Sequence, residues 1–281
     1  MNSDFASQIR PLARYFSGIV GVYAERLDTG ERLAYNSDEV FPSASVVKLP
    51  VLFELFKQVK NKTASLDERV ELRDADKVIG SGILKELRAG LALTLEDLAI
   101  LMMTISDNTA ANMVTDRVGI ANVNRTMDEL GLTATRVTGK ILIDQTRKTD
   151  TPDGKGERAP ATPAEMARLL IAIERREYLG AECSEQLLGI LTRVQTDSTI
   201  ARGLPHEQMH PADGGDPSIV LAHKTGSIRG VRNNVGLVYT PTFTYAIALM
   251  SKDCHDMRRT SENEASVLLG ELSRIVYCHF S

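Results

Sequence analysis

NNVGLVYTPTFTYAIALMS, from Asn233 to Ser251, decides the fold class, because it holds two apolar runs of strand length joined by the short link Thr240-Pro241-Thr242. Ile219 to Thr225 is a third run of the same kind, just upstream. Near the N-terminus the pattern recurs: Ile19 to Leu27 and Glu31 to Tyr35 flank the turn triplet Asp28-Thr29-Gly30 and predict an antiparallel hairpin. Between these ends the apolar period is helical, over Ser45 to Lys60, Thr94 to Ile105, Thr109 to Val118, Val123 to Leu130 and Pro163 to Glu174. Thr94, three residues before Asp97, and Pro163, at a first helical position, are start signals. Phe5, Ile9, Leu12 and Phe16 mark a helix over residues 4–16. Ser261 and Glu264 predict a capping box for a last helix carrying Val267, Leu268, Leu272 and Ile275. The expectation is a mixed α/β (α+β) chain. Residues 1–40 and 197–281 would form an antiparallel sheet lobe flanked by helices, and residues 41–196 an all-helical lobe, with the site in the cleft between them.

Composition narrows the function classes. The chain has 281 residues, 43% hydrophobic and 25% charged, which fits a globular protein and argues against disorder or a fibrous repeat. A net charge of -4 gives no pull toward nucleic acid, whose binding needs clustered cations to displace counterions. Cys183, Cys254 and Cys278 form no CxxC and allow at most one bridge. No segment approaches the roughly 20 apolar residues of a membrane span, and the N-terminus shows no apolar stretch of signal-peptide length.

Three short motifs carry chemistry. Ser45-Val46-Val47-Lys48 opens an apolar helical run. A serine hydroxyl needs a base within hydrogen-bond reach, and a lysine three residues on shares its helical face. Ser106-Asp107-Asn108 falls between two predicted helices, where the same residues serve equally well as helix caps. Lys224-Thr225-Gly226 ends a predicted strand, where a cation, a hydroxyl and an unobstructed backbone suit an anionic, amide-bearing ligand. Each alone has an ordinary structural reading: an N-cap with a solvated lysine, a helix cap, a strand ending in a glycine turn.

Together, in this order and on these elements, the motifs resemble the class A β-lactamases and penicillin-binding proteins. The resemblance extends to Thr109-Ala110-Ala111-Asn112 after the second motif and to Ala161-Thr162-Pro163-Ala164-Glu165-Met166-Ala167, similar to the helix start that follows the family's Ω loop. It implies that Ser45 is the nucleophile, Lys48 its proton acceptor and Ser106 a proton shuttle to the leaving nitrogen. Asn108 would hold the substrate's side-chain amide, and Lys224, Thr225 and Arg232 its carboxylate. Gly226 belongs to the same substrate-binding edge. The backbone N–H groups of Ser45 and Ser227 would form the oxyanion hole. It implies a β-lactam, peptide or ester as small-molecule substrate, no metal and no cofactor, and export from the cytoplasm.

Two departures stand out. The Ω-loop glutamate that activates the deacylating water has no counterpart in Thr135 to Gln145, where the apolar Ile141 stands near its expected position. Asp144, Asp150, Asp153 and Glu157 are the nearby carboxylates, each more simply a solvated loop charge. Ile79-Gly80-Ser81-Gly82-Ile83-Leu84 lacks the aromatic residue that class A enzymes often place near this part of the rim. The main expectation is therefore a β-lactamase-like serine hydrolase. Alternatives are a penicillin-binding DD-peptidase or slow-turnover sensor, and a zinc peptidase through His206-Glu207-Gln208-Met209-His210, a literal HExxH bracketed by Pro205 and Pro211. Leu187, Leu188, Ile190 and Leu191 read as a core face rather than a partner face.

Overall fold

The computed structural model of the protein describes residues 3–141, 159–196 and 198–281. In chain order these form α1 (Ser3–Tyr15), β1 (Ile19–Arg26), β2 (Arg32–Tyr35), β3 (Phe41–Pro42), α2 (Lys48–Lys60), β4 (Arg69–Glu71), β5 (Ala92–Thr94), α3 (Leu95–Thr104), α4 (Asn108–Val118) and α5 (Ile120–Glu129). There follow β6 (Pro160–Ala161), α6 (Pro163–Glu174), α7 (Gly180–Leu191), α8 (His206–Met209), β7 (Val220–Ile228), β8 (Val231–Tyr239), β9 (Thr244–Lys252) and α9 (Glu264–Phe280). None of these helices is long and apolar enough to cross a membrane.

The chain divides into two compact units, residues 1–46 with 161–172 and 196–281, and residues 47–160 with 173–195. The first is built on a five-stranded sheet of order β2-β1-β9-β8-β7. Every neighbouring pair is antiparallel. Phe5 and Ile9 of α1 and Leu269, Leu272 and Val276 of α9 pack with Val20, Val22, Ile247 and Leu249 of the sheet. Each such fully buried side chain contributes about 1.5–3 kcal/mol. Residues 231–238 of β8 and 245–251 of β9 are buried without a break, so both faces of these strands are covered and their sequence reads as a run instead of an alternation.

In the second unit α2 is the central helix, touched by α3, α4, α5 and α7, and every residue from Lys48 to Phe56 is buried. Leu187, Ile190 and Leu191 are buried as core. The predicted capping box of α3 is present, with Thr94 Oγ1 accepting from Asp97 N and Asp97 Oδ2 accepting from Thr94 N, both at 3.0 Å.

Two element boundaries differ from the sequence expectation. The α-helix starts at Lys48, and Ser45 lies on a 3-10 turn, Ala44–Val47, that leads straight into it. Pro50 has no N–H to bond the carbonyl four residues back, so the α-helical ladder cannot reach Val46. At the last helix the cap is Asn263, not Ser261: its Oδ1 accepts from the N–H groups of Ala265 and Ser266. Its Nδ2 also donates to the carbonyls of Asp256 and Arg258, two bonds that a serine hydroxyl does not make together with the cap.

Candidate active site

In the first unit the turn that carries Ser45 is fastened to the sheet by its backbone. Ala44, the residue before Ser45, has φ +48°, a left-handed conformation that costs a non-glycine residue of order 1 kcal/mol and persists only where neighbours impose it. The restraint comes from Asn233 on β8, 2% exposed, whose Nδ2 donates to Pro42 O at 2.8 Å and Ser43 O at 3.0 Å. Its Oδ1 accepts from Ser251 N on β9 at 3.1 Å. Sequence reasoning missed Asn233; the signal was a buried polar run, Arg232-Asn233-Asn234, at the start of a strand that is apolar from Val235 on. Gly226, register partner of Asn233, lies so close to the turn that a Cβ there would sit 2.8 Å from Ser43 O and 3.1 Å from the backbone nitrogens of Ser45 and Val46. Only glycine allows that approach.

Lys224 on β7 is 1% exposed, and its Nζ donates to Thr225 O at 2.9 Å. Burial pushes its ammonium down to about 7, because water is removed from the charge. Thr225 is half-buried and Ser227 exposed. Arg232, register partner of Ser227, is committed elsewhere than the resemblance implied: its guanidinium donates to the carbonyls of Ile228 (2.9 Å), Val231 (2.8 Å) and Arg258 (2.6 Å), bracing the β7–β8 turn.

In the second unit Lys48, Ser106 and Asn108 come together. Lys48 Nζ donates to Ser106 O at 2.6 Å, Asn108 Oδ1 at 2.9 Å and Ser106 Oγ at 3.1 Å. Ser106 holds φ +58°, a second left-handed non-glycine residue at the motifs. Asn108 Nδ2 donates to Ile79 O at 3.1 Å, which leaves one amide proton and one lone pair for a further partner. Asp107 fixes the loop. It caps α4 through Oδ1 to Ala110 N and binds the N–H groups of Ile83 (2.7 Å) and Leu84 (2.9 Å) through Oδ2. Gly82, at φ +107°, makes room for that carboxylate, since a Cβ there would lie 2.2 Å from it.

Also within the second unit, Asn112 holds the main chain of Ile141 at both ends, donating from Nδ2 to its carbonyl at 2.8 Å and accepting at Oδ1 from its N–H at 2.7 Å. Asp144, Asp150, Asp153 and Glu157 lie outside the described residues. The HExxH segment forms one turn, His206–Met209, with His210 beyond its end. The two imidazole rings are 5.0 Å apart, but among the described residues no group of three His, Cys, Asp or Glu side chains gathers around them. A zinc peptidase site needs at least a third protein ligand, so this reading is not carried further. All three cysteines are free, with Cys183 and Cys254 buried and Cys278 exposed.

The chain is similar to proteins of known sequence and structure. β-Lactamase L2 of Stenotrophomonas maltophilia is 30% identical over 210 residues, 72% of this chain and 64% of the relative's length. The crystal structure of a β-lactamase from Sphaerobacter thermophilus superposes with a TM-score of 0.85 at 29% identity, covering 99% of this chain and 98% of that one. The structure of PBP-A gives 0.84 at 31% identity, covering 99% and 96%, and a leucine-to-glutamate variant of PBP-A is known as its acyl-enzyme complex with penicillin G. The model of the β-lactamase enzyme family matches residues 4–280, nearly the whole chain, so this protein belongs to that family and is a hydrolase of the β-lactamase type.

Proposed function

We propose that the protein opens β-lactams by acyl transfer to Ser45 and releases the acyl group slowly. The observation that carries the reading is the three-bond coordination of Lys48 by Ser106 and Asn108, one helical turn along the chain from Ser45. In this scheme Lys48 reacts as the neutral amine, having given up one of its three donor bonds to open a lone pair, and Ser45 Oγ bonds to the lactam carbonyl carbon while its proton passes to that amine. Lys48 in turn hands a proton to Ser106 Oγ, and the Ser106 hydroxyl proton goes to the lactam nitrogen as the C–N bond breaks. The charge on the carbonyl oxygen is met by the N–H groups of Ser45 and Ser227. Lys224 and Thr225 bind the substrate carboxylate, which supplies the counter-charge that buried Lys224 lacks. Asn108 offers its remaining amide proton to a substrate side-chain amide.

Slow release follows from Ile141. Its peptide group is held where Asn112 fixes it, and an aliphatic side chain supplies neither acid nor base to activate water. The PBP-A complex supports penicillins as acyl donors for this architecture. The test is intact-protein mass over time after mixing with a penicillin, with Ser45→Ala as control. A persistent adduct of penicillin mass that the control lacks supports the reading. An adduct that clears within seconds supports efficient hydrolysis instead, and no adduct with any β-lactam refutes acyl transfer to this serine.

A further inference from the structure

Residues 78–84 form a segment whose backbone is tied to the loop of the second motif at five points. Val78 N donates to Thr109 Oγ1 at 3.1 Å, and Asn108 donates from Nδ2 to Ile79 O at 3.1 Å and from its backbone N to Ser81 O at 3.0 Å. Ile83 N and Leu84 N both donate to Asp107 Oδ2. Val78 and Leu84 point into the core of the unit, whereas Ile79 is 56% and Ile83 46% exposed, with Leu87 and Leu91 exposed further along the same stretch. Two large aliphatic side chains are thus exposed on a segment whose backbone is tied directly to Asn108 and its neighbour Asp107. Isolated exposed aliphatics are ordinary on protein surfaces, but a fixed run of them beside polar catalytic groups is a preorganised apolar contact area.

We propose that Ile79 and Ile83 form an aliphatic shelf that selects substrates carrying a hydrocarbon chain on the side-chain amide held by Asn108. The inference rests on the proposed reading of Ser45, Lys48 and Asn108 as an acyl-transfer site. The shelf takes no part in the bond changes: Ser45 Oγ–C forms, lactam C–N breaks and the nitrogen takes the proton, whichever chain is present. It contributes only burial of methylenes, so its signature is a rate that rises with chain length.

The experiment uses penicillins made from 6-aminopenicillanic acid with straight acyl chains of two, four, six and eight carbons, and reads the second-order acylation constant of the full chain. Half-burial of each methylene corresponds to about 1.5- to 2-fold per carbon, or roughly ten- to sixty-fold from two to eight carbons. In Ile79→Ser/Ile83→Ser the series should flatten to less than about threefold, with the two-carbon compound within about twofold of the parent protein. A flat series in the parent protein, or an undiminished slope in the double variant, overturns the shelf. Calorimetric binding of the N-acyl-D-alanines of the same chain lengths needs no acylation. Chain-length-dependent binding that the double variant loses, with no adduct from any penicillin, would keep the shelf and refute the serine reading; binding indifferent to chain length would overturn the shelf by itself.

Discussion

Gly226→Ala is the sharpest probe of the geometry around the nucleophile. The added methyl would lie 2.8 Å from Ser43 O and 3.1 Å from the nitrogens of Ser45 and Val46, where ordinary contacts begin at 3.4 Å. All three are backbone atoms and cannot rotate away, so the turn or the strand must retreat by about 0.3–0.6 Å. Overpacking of this kind costs about 1–3 kcal/mol, which in a chain of this size lowers Tm by roughly 2–5 °C. The effect on rate is larger in proportion. A misplacement near 1 Å costs about 10²-fold, and the displaced atoms include an N–H assigned to the oxyanion hole, so acylation should slow about 10- to 100-fold. Stopped-flow acylation with a chromogenic cephalosporin, alongside calorimetric melting, measures both. Gly189→Ala in α7 is the control: a Cβ there meets nothing within 4 Å, so it should raise stability by about 0.5–1 kcal/mol and leave acylation unchanged. A Gly226→Ala protein that melts lower yet acylates at the parent rate would refute the claim that this approach positions the oxyanion donors.

Lys224 gives a pH prediction. Its folded value of about 7 lies below the unfolded lysine value of about 10.4, so the unfolded chain binds the extra proton between them. The burial penalty is fully present below pH 7 and is relieved as pH rises toward 10, and Lys224→Met should remove that rise in urea-unfolding stability; an unchanged slope would count against it. Ile141→Glu should shorten the lifetime of the penicillin adduct by about 10²- to 10⁴-fold, the usual worth of a general base, and an unaltered lifetime in a folded variant would disprove the role given to this position. Asn233→Leu strands the carbonyls of Pro42 and Ser43 and the N–H of Ser251, so stability should fall by about 2–4 kcal/mol and acylation with it. Retention of both in equilibrium unfolding and stopped-flow assays would show that the turn is held by other means.

Much of this was legible because it is local. Apolar periodicity placed the sheet strands at the two ends of the chain and the helices between them, and the reciprocal bonds of Thr94 and Asp97 are written in two residues three apart. Ser45, Lys48, Ser106, Asn108, Lys224 and Gly226 were visible as motifs. What the sequence hid depends on partners far away along the chain. Asn233 reads as one of three polar residues opening a strand until Pro42 and Ser43, about 190 residues earlier, are beside it. Arg232 reads, through the resemblance, as a ligand for the substrate carboxylate until three main-chain carbonyls are found beside it. The choice of Asn263 over Ser261 as helix cap was a contest between two good capping residues, settled by the carbonyls of Asp256 and Arg258.

The grip of Asn112 on Ile141 has an evolutionary consequence. Both hydrogen bonds go to the main-chain N–H and C=O of the residue, which every amino acid except proline presents in the same form. The position behaves as a socket that fixes where a side chain begins without prescribing what it is. Under the role proposed for Ile141, selection can exchange the occupant, and with it the fate of the covalent adduct, while the anchoring of the chain stays the same. On that proposal a protein that sequesters an antibiotic and one that destroys it are neighbours in sequence space.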